Sequence, residues 1–201
     1  MNCFGITGGV GMGKSTVGET LRSFGIPLID TDDLARNLTQ PGAPSLQKIH
    51  ETFGDFVFHP DFTLNRAALA ALVFSDSSAR LKLETILHPA IRSSWRETIQ
   101  QWTTQRHAMA AVIIPLLFET GAEGEFSHVI CVACTRETQQ SRLEERGWNK
   151  THIAGRISAQ LPIEEKILRS DFVIWTEGRR ELQKKQAKQL IEDLSKPSRL
   201  I

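Results

Sequence analysis

The stretch Gly8-Gly9-Val10-Gly11-Met12-Gly13-Lys14-Ser15-Thr16 decides how this chain is read. It fits the pattern G-x-x-x-x-G-K-[ST], with Gly8 first, Gly13 and Lys14 at its centre and Ser15 closing it. Upstream, Cys3-Phe4-Gly5-Ile6 predicts a short strand; downstream, Val17, Leu21 and Phe24 fall at i, i+4 and i+7, one face of a helix. Strand, glycine loop and helix in this order give the pattern a mechanism. Glycines let the backbone curl so that successive N–H groups point inward, and the helix N-terminus adds a favourable dipole for phosphate. Lys14 then reaches the β/γ oxygens, and Ser15 is placed to ligate Mg²⁺. The competing reading, a plain glycine turn before an ordinary helix, is disfavoured by the flanking strand and helix.

Bulk composition bounds the rest. A chain of 201 residues supports one α/β domain with a sizeable core and a small insert. Its 24 basic and 23 acidic residues leave a net charge of +1, which gives no argument for a nucleic-acid or anionic-membrane partner. No apolar run reaches the ~18–20 residues of a membrane span, and no basic n-region precedes the first strand, so a cytoplasmic location is expected. Cys131 and Cys134 have C-x-x-C spacing, but the chain's third cysteine is Cys3, and no Cys or His pair completes four zinc ligands. Small buried residues are the simpler account of them.

In chain order, Gly25 and Pro27 close the first helix, and Ile26-Pro27-Leu28-Ile29 predicts a second strand ending in Asp30-Thr31-Asp32-Asp33. Acids at the carboxyl end of a strand lie where open α/β sheets gather ligands. One of them suits the cap of a helix starting near Leu34, leaving at least one for substrate or Mg²⁺. A helix with Leu46, Ile49 and Phe53 on one face follows the turn Pro41-Gly42-Ala43-Pro44, and an irregular hairpin is expected over residues 55–65. Helices are then predicted from Arg66 to Phe74 and from Ala79 onward, with a change of direction at His88-Pro89. Met109 to Ile114 predicts a strand buried on both faces, leading into Pro115-Leu116-Leu117-Phe118-Glu119. The Asp that ends this strand in many nucleotide hydrolases is absent; Glu119 either replaces it through water or is structural. Val129–Ala133 and Phe172–Trp175 complete five strands. Between those two strands, helices capped by Thr135 and Thr151 carry Arg136, Arg142, Arg146 and Arg156, either a phosphate-facing lid or a solvated basic face. The last helix, with Leu182, Leu190, Ile191 and Leu194 on its apolar face, runs into a polar tail.

These motifs, taken in order, resemble the dephospho-coenzyme A kinase family across nearly the whole chain. The resemblance rests on Thr7–Thr16, Asp30-Thr31-Asp32, the Pro41–Pro44 turn, Phe53-Gly54, Leu64 and Arg66, His88-Pro89, and Pro115–Glu119. It continues with Gln139, Arg142 and Arg146, and with Gln160. The resemblance implies a P-loop kinase: an α/β fold with a five-stranded parallel sheet flanked by helices, a helical acceptor-binding insert and a lid. It implies a nucleotide-binding core at 1–29 and 106–201, a lid near 136–160, and an insert at 30–105 for dephospho-coenzyme A. The implied reaction moves the ATP γ-phosphoryl to the ribose 3′-hydroxyl of dephospho-coenzyme A, with Mg²⁺. Asp32, Lys14 and Arg142 are the expected catalytic residues. Gly11, Met12, Gly13, Lys14, Ser15, Thr16, Arg146 and Gly178 are expected on the nucleotide, with Ser15 on the metal. Thr176 to Gly178 would border the adenine. Two departures stand out: Pro60-Asp61-Phe62 replaces a glycine turn and Asn65 an Asp, and Thr176 stands where Asn is common. A monomer or weak homo-oligomer acting on small molecules is expected.

The nearest alternative is a nucleoside or nucleoside-monophosphate kinase, which shares loop, insert and arginine lid. A GTPase-type switch requires D-x-x-G, and no Asp here has Gly three residues later; Asn149-Lys150-Thr151-His152 lacks the Asp of N-K-x-D. An ATP-driven binding module would leave the large insert without a task.

Overall fold

The computed structural model describes residues 1–195. The chain divides into two compact units: Met1–Leu28 with the chain from Arg106 onward, and Ile29–Gln105 between them.

The first unit opens with β1 (Asn2–Thr7) and α1 (Lys14–Ser23), and β2 (Leu28–Asp30) leads out of it. The chain returns as β3 (Met109–Ile113) and β4 (His128–Ala133), and β5 (Phe172–Trp175) comes last. Among the described residues these strands form a five-stranded, all-parallel sheet in the order β2-β3-β1-β4-β5. Asn2 to Ile6 lie opposite Met109 to Ile113, and Phe4 to Thr7 opposite His128 to Cys131. The glycine loop therefore leaves the central strand. On one face of the sheet, Phe4, Ile6 and Ile130 pack with Val17 and Leu21 of α1, all essentially inaccessible. Phe24, expected on that same face, is exposed: it caps α1, and Gly25 turns the chain away at φ 78°.

The helices of the second unit are α2 (Thr31–Asn37), α3 (Pro44–Phe53), α4 (Arg66–Ser75) and α5 (Ser77–Thr104). Ile49, Val57 and Leu69 form its core, with Leu83, Ile86 and Leu87 packed against them. Helix α2 starts three residues earlier than the Leu34 expectation because the Asp30 carboxylate accepts from the Asp32 N–H. The helix does not break at His88-Pro89, where a new direction was expected; α5 runs through it as one helix of 28 residues. A proline inside a helix costs about 3 kcal/mol. Buried Ala79 and the leucine cluster on one side, and buried Trp95 on the other, offset it. The 55–65 segment is an irregular hairpin, bridged Phe58 to Leu64, in which Phe62 adopts a left-handed φ of 61°.

After β4 come α6 (Arg136–Glu145), α7 (Lys150–Ser158) and α8 (Ile163–Leu168), and α9 (Arg180–Ser195) follows β5. Thr135 caps α6 as expected, whereas α7 is capped by Asn149, whose side chain reaches the His152 N–H before Thr151 can. Helix α8 was not foreseen. Leu190, Ile191 and Leu194 of α9 face the core, but Leu182 is exposed, and the polar tail lies outside the described residues. Strand β5 is a sheet edge, and Gln186 of α9 bonds both the N–H and the C=O of Trp175, at 3.0 and 2.9 Å.

Candidate active site

The loop is shaped by what a side chain would strike. Gly8 holds φ 143°, and a Cβ there would lie 2.1 Å from the Val132 carbonyl oxygen, so the chain must cross β4 bare. Gly13 caps α1 at φ 93° with no side-chain capping bond. A Ser or Asp cap would cover the first amides of α1; glycine leaves them available to an anion. No acid stands in that first turn.

Side chains from four places hold the loop's backbone. Lys14 Nζ donates to Gly8 O and Gly9 O, both at 2.9 Å. Gln139 Nε2 donates to Val10 O at 2.7 Å, and Gln160 Oε1 accepts from the Val10 N–H at 2.9 Å. The buried Thr176 hydroxyl donates to Met12 O at 2.9 Å and lies 3.2 Å from Ala133 O. Arg142 grips the same threonine, with Nη1 to Oγ1 at 2.9 Å and Nη2 to its carbonyl at 2.6 Å.

Beside the loop opens a cleft of about 460 Å³ lined by Gly11, Gly13, Thr16, Arg142, Arg146 and Gly178, together with Glu145, Arg180 and Gln183. Six of the expected positions thus converge. Lys14 and the exposed Ser15 stand at the start of α1. Met12 instead turns its side chain into the cluster of Cys131, Ala133 and Cys134. Thr176 does not border the cleft: it lies beneath the loop, and Gly178 alone of its triplet lines the opening. The four arginines do not form one patch. Arg142 and Arg146 face this cleft, Arg136 faces a separate apolar cavity of about 620 Å³, and Arg156 lies over Trp148 at 5.9 Å.

Glu119 is tied into the fold through one of its carboxylate oxygens. Its Oε1 accepts from the Leu161 N–H and pairs with Lys166 Nζ, both at 2.8 Å, and fully buried Lys166 also donates to Pro115 O at 2.7 Å. The C-x-x-C thiols are structural. Burial pushes Cys131 up to about 11 and raises Cys134, away from the reactive thiolate. Among the described residues no group of three His, Cys, Asp or Glu side chains is placed to hold a metal. In the second unit, Asp30 is engaged as the α2 cap, Asp33 pairs with Arg36 at 3.2 Å, and Asp32 is exposed.

A family model described as dephospho-CoA kinase matches residues 2–181. The chain belongs to the dephospho-CoA kinase family. A family member from Anaeromyxobacter dehalogenans is 42% identical over 195 residues, covering 96% of this chain and 92% of the relative. One from Bdellovibrio bacteriovorus is 40% identical, covering 87% of each. Among solved structures, a Thermus thermophilus protein aligns over 98% of both chains at TM-score 0.83 and 32% identity. The dephospho-CoA kinase of Campylobacter jejuni aligns over 96% of this chain and 97% of its own at TM-score 0.72 and 28% identity. A shikimate kinase from Acinetobacter baumannii, 17% identical with TM-score 0.54, shares the fold. Within this dephospho-CoA kinase fold, Gln139, Gln160 and Thr176 are the site residues whose contacts sequence reasoning missed. The two glutamines were visible as motif positions, but nothing in the sequence showed that both meet at Val10. No helix among the described residues is long and apolar enough to cross a membrane.

Proposed function

We propose that this chain transfers the γ-phosphoryl group of ATP to the ribose 3′-hydroxyl of dephospho-coenzyme A. The observation that carries this is a phosphate loop with an open helix N-terminus, in a chain that matches the dephospho-CoA kinase family over residues 2–181. Phosphoryl transfer asks little covalent chemistry of a protein; positioning and charge neutralisation do most of it. The amides of Gly11 to Ser15 cradle the phosphates, with Thr16 and Met12 completing the loop. Lys14 exchanges its two backbone carbonyl contacts for β/γ oxygens, a charge-assisted bond replacing neutral ones. Arg142 and Arg146 lend positive charge to the cleft, and Gly178 leaves room for the base. Asp32 orients the acceptor hydroxyl and takes its proton, and residues 30–105 bind the acceptor.

Mg²⁺ suits this donor set: a hard cation takes oxygen ligands and usually relies on substrate phosphates more than on a protein cage. The Ser15 hydroxyl is the protein oxygen for it. Bound with ATP, the ion offsets phosphate charge.

The test is an ADP-release assay with Mg-ATP, comparing dephospho-coenzyme A with a panel of nucleosides and nucleoside monophosphates, with the product identified by mass. A product heavier by one phosphoryl group from dephospho-coenzyme A is expected. Turnover with the panel and none with dephospho-coenzyme A would overturn the proposal.

A further inference from the structure

The loop's carbonyls are held in a pattern with a consequence for its amides. In a planar trans peptide, the C=O of one residue and the N–H of the next point in opposite directions. Gln139 draws the Val10 carbonyl to one side, so the Gly11 N–H is turned to the other. Gly11 lines the cleft beside Gly13 and Arg142. The adjoining peptide follows the same rule. Lys14 holds the Gly9 carbonyl, and the Val10 N–H on the opposite side is accepted by Gln160 Oε1. Val10 is therefore gripped through both of its backbone groups by two glutamines from different parts of the chain.

Neither glutamine is loosely placed. Gln139 is buried on α6, at 4% exposure. Gln160 follows α7, and the next residue's N–H is tied to Glu119, whose carboxylate is fixed by buried Lys166. Lys166 reaches on to Pro115 O, which also accepts the Thr7 hydroxyl at 3.2 Å. Thr7 ends β1 directly before the loop. The Gln160 grip is thus anchored to the strand from which the loop springs.

We propose that Gln139 and Gln160 are positioning residues for the nucleotide phosphates: together they clamp Val10 and aim the Gly11 amide into the cleft. Neither glutamine touches substrate in this assignment. Gln139 supplies the donor that turns the Val10–Gly11 peptide. Gln160 supplies the acceptor that keeps the preceding peptide from rotating back. The inference rests on the reading that ATP phosphates bind this loop, but not on the identity of the acceptor.

The test is calorimetric titration of the full chain with Mg-ATP, without acceptor, for Gln139→Leu, Gln160→Leu and Gln160→Glu, together with steady-state kinetics. Losing either grip should weaken ATP binding roughly 10-fold, the size of one hydrogen bond in a built site. KM for dephospho-coenzyme A should stay at its wild-type value, and the variants of partly exposed Gln160 should melt close to wild type without ligand. Gln160→Glu keeps an oxygen for the Val10 N–H but adds a charge that repels phosphate, so its loss relative to wild type should shrink with added salt while that of Gln160→Leu persists. The double leucine variant should lose less than the product of the single losses, because both act through one residue. Gln160 is partly exposed, so its two variants carry the test even if Gln139→Leu fails to fold. Wild-type ATP affinity in Gln160→Leu, or a loss in Gln160→Glu that high salt leaves as large as that of Gln160→Leu, would overturn the proposal. A wild-type chain that binds Mg-ATP yet leaves dephospho-coenzyme A unphosphorylated would refute the proposed acceptor and leave this inference standing. One that binds no Mg-ATP refutes both.

Discussion

The hydroxyl of Thr176 joins three parts of the site, donating toward Met12 O while accepting from Arg142. Thr176→Val keeps the shape and removes both bonds, leaving an arginine N–H and a loop carbonyl without this partner. A loss of about 1–3 kcal/mol of stability is expected, with weaker ATP binding, read by denaturant melts and titration. Lys14→Ala should lose turnover while the melting curve persists, since its contacts lie within the loop. An active Lys14→Ala would remove the lysine from the reaction. Asp32 is exposed, so Asp32→Asn should fold normally and bind ATP like wild type, with turnover lowered by at least ~100-fold. Wild-type turnover would remove Asp32 from the mechanism. What could be read from the sequence at this scale was the contiguous part. Gly8 to Thr16 carry their chemistry in one run of residues, whereas Thr176 meets Met12 across 164 positions, and no local pattern encodes that.

At the scale of elements, two acids are occupied with holding helices. Glu177 accepts from the Thr135 N–H at 2.6 Å and the Thr138 hydroxyl at 2.9 Å, closing the N-terminus of α6 from outside it. These bonds, the Thr135 backbone one foremost, lower its pKa below the ordinary 4.5. A lowered carboxylate pKa stabilises the fold above the unfolded value, and this stability is lost as pH falls through the folded one. Wild type should therefore melt higher than Glu177→Gln at pH 6–7, with the gap closing below about pH 4.5. A gap independent of pH would show that charge has no part in the cap. The Glu119–Lys166 pair makes a second case. Lys166→Met leaves a mostly buried carboxylate unpaired and should cost about 3 kcal/mol, and adding Glu119→Gln should restore much of it. Additive losses would argue that the pair is not coupled. Helix α8, on which Lys166 sits, escaped sequence reading because six residues are too few for a periodic pattern. Helix α5 escaped in its continuity because packing outweighed Pro89. Phe62 has a comparable cause: it takes a left-handed φ where the family resemblance expects glycine, in a hairpin held by the Phe58–Leu64 bridge.

At the scale of the whole molecule, the sheet follows directly from apolar runs that the sequence displays, and all five strands were foreseen within one or two residues at each end. What the runs do not display is strand order, because parallel pairing joins segments far apart: Cys3 meets Ala110, and Cys131 meets Val173. The two units carry separate cores, one on the sheet and one around Ile49, Val57 and Leu69. The sheet's outer strand, β5, presents Val173 and Trp175 at about 40% exposure. An open parallel edge with aromatic and branched side chains is a template on which a second chain can pair. Gln186 fills the backbone slot at Trp175 that such a stranger could use, with an amide that copies a peptide's own donor and acceptor. Gln186→Ala should thus leave catalysis and melting almost unchanged, yet turn concentrated solutions cloudy sooner, as followed by light scattering over days. Equal clouding times would deny the glutamine this part. On this account a single side chain on the last helix governs how long the protein keeps in the bottle, and has no share in what it does there.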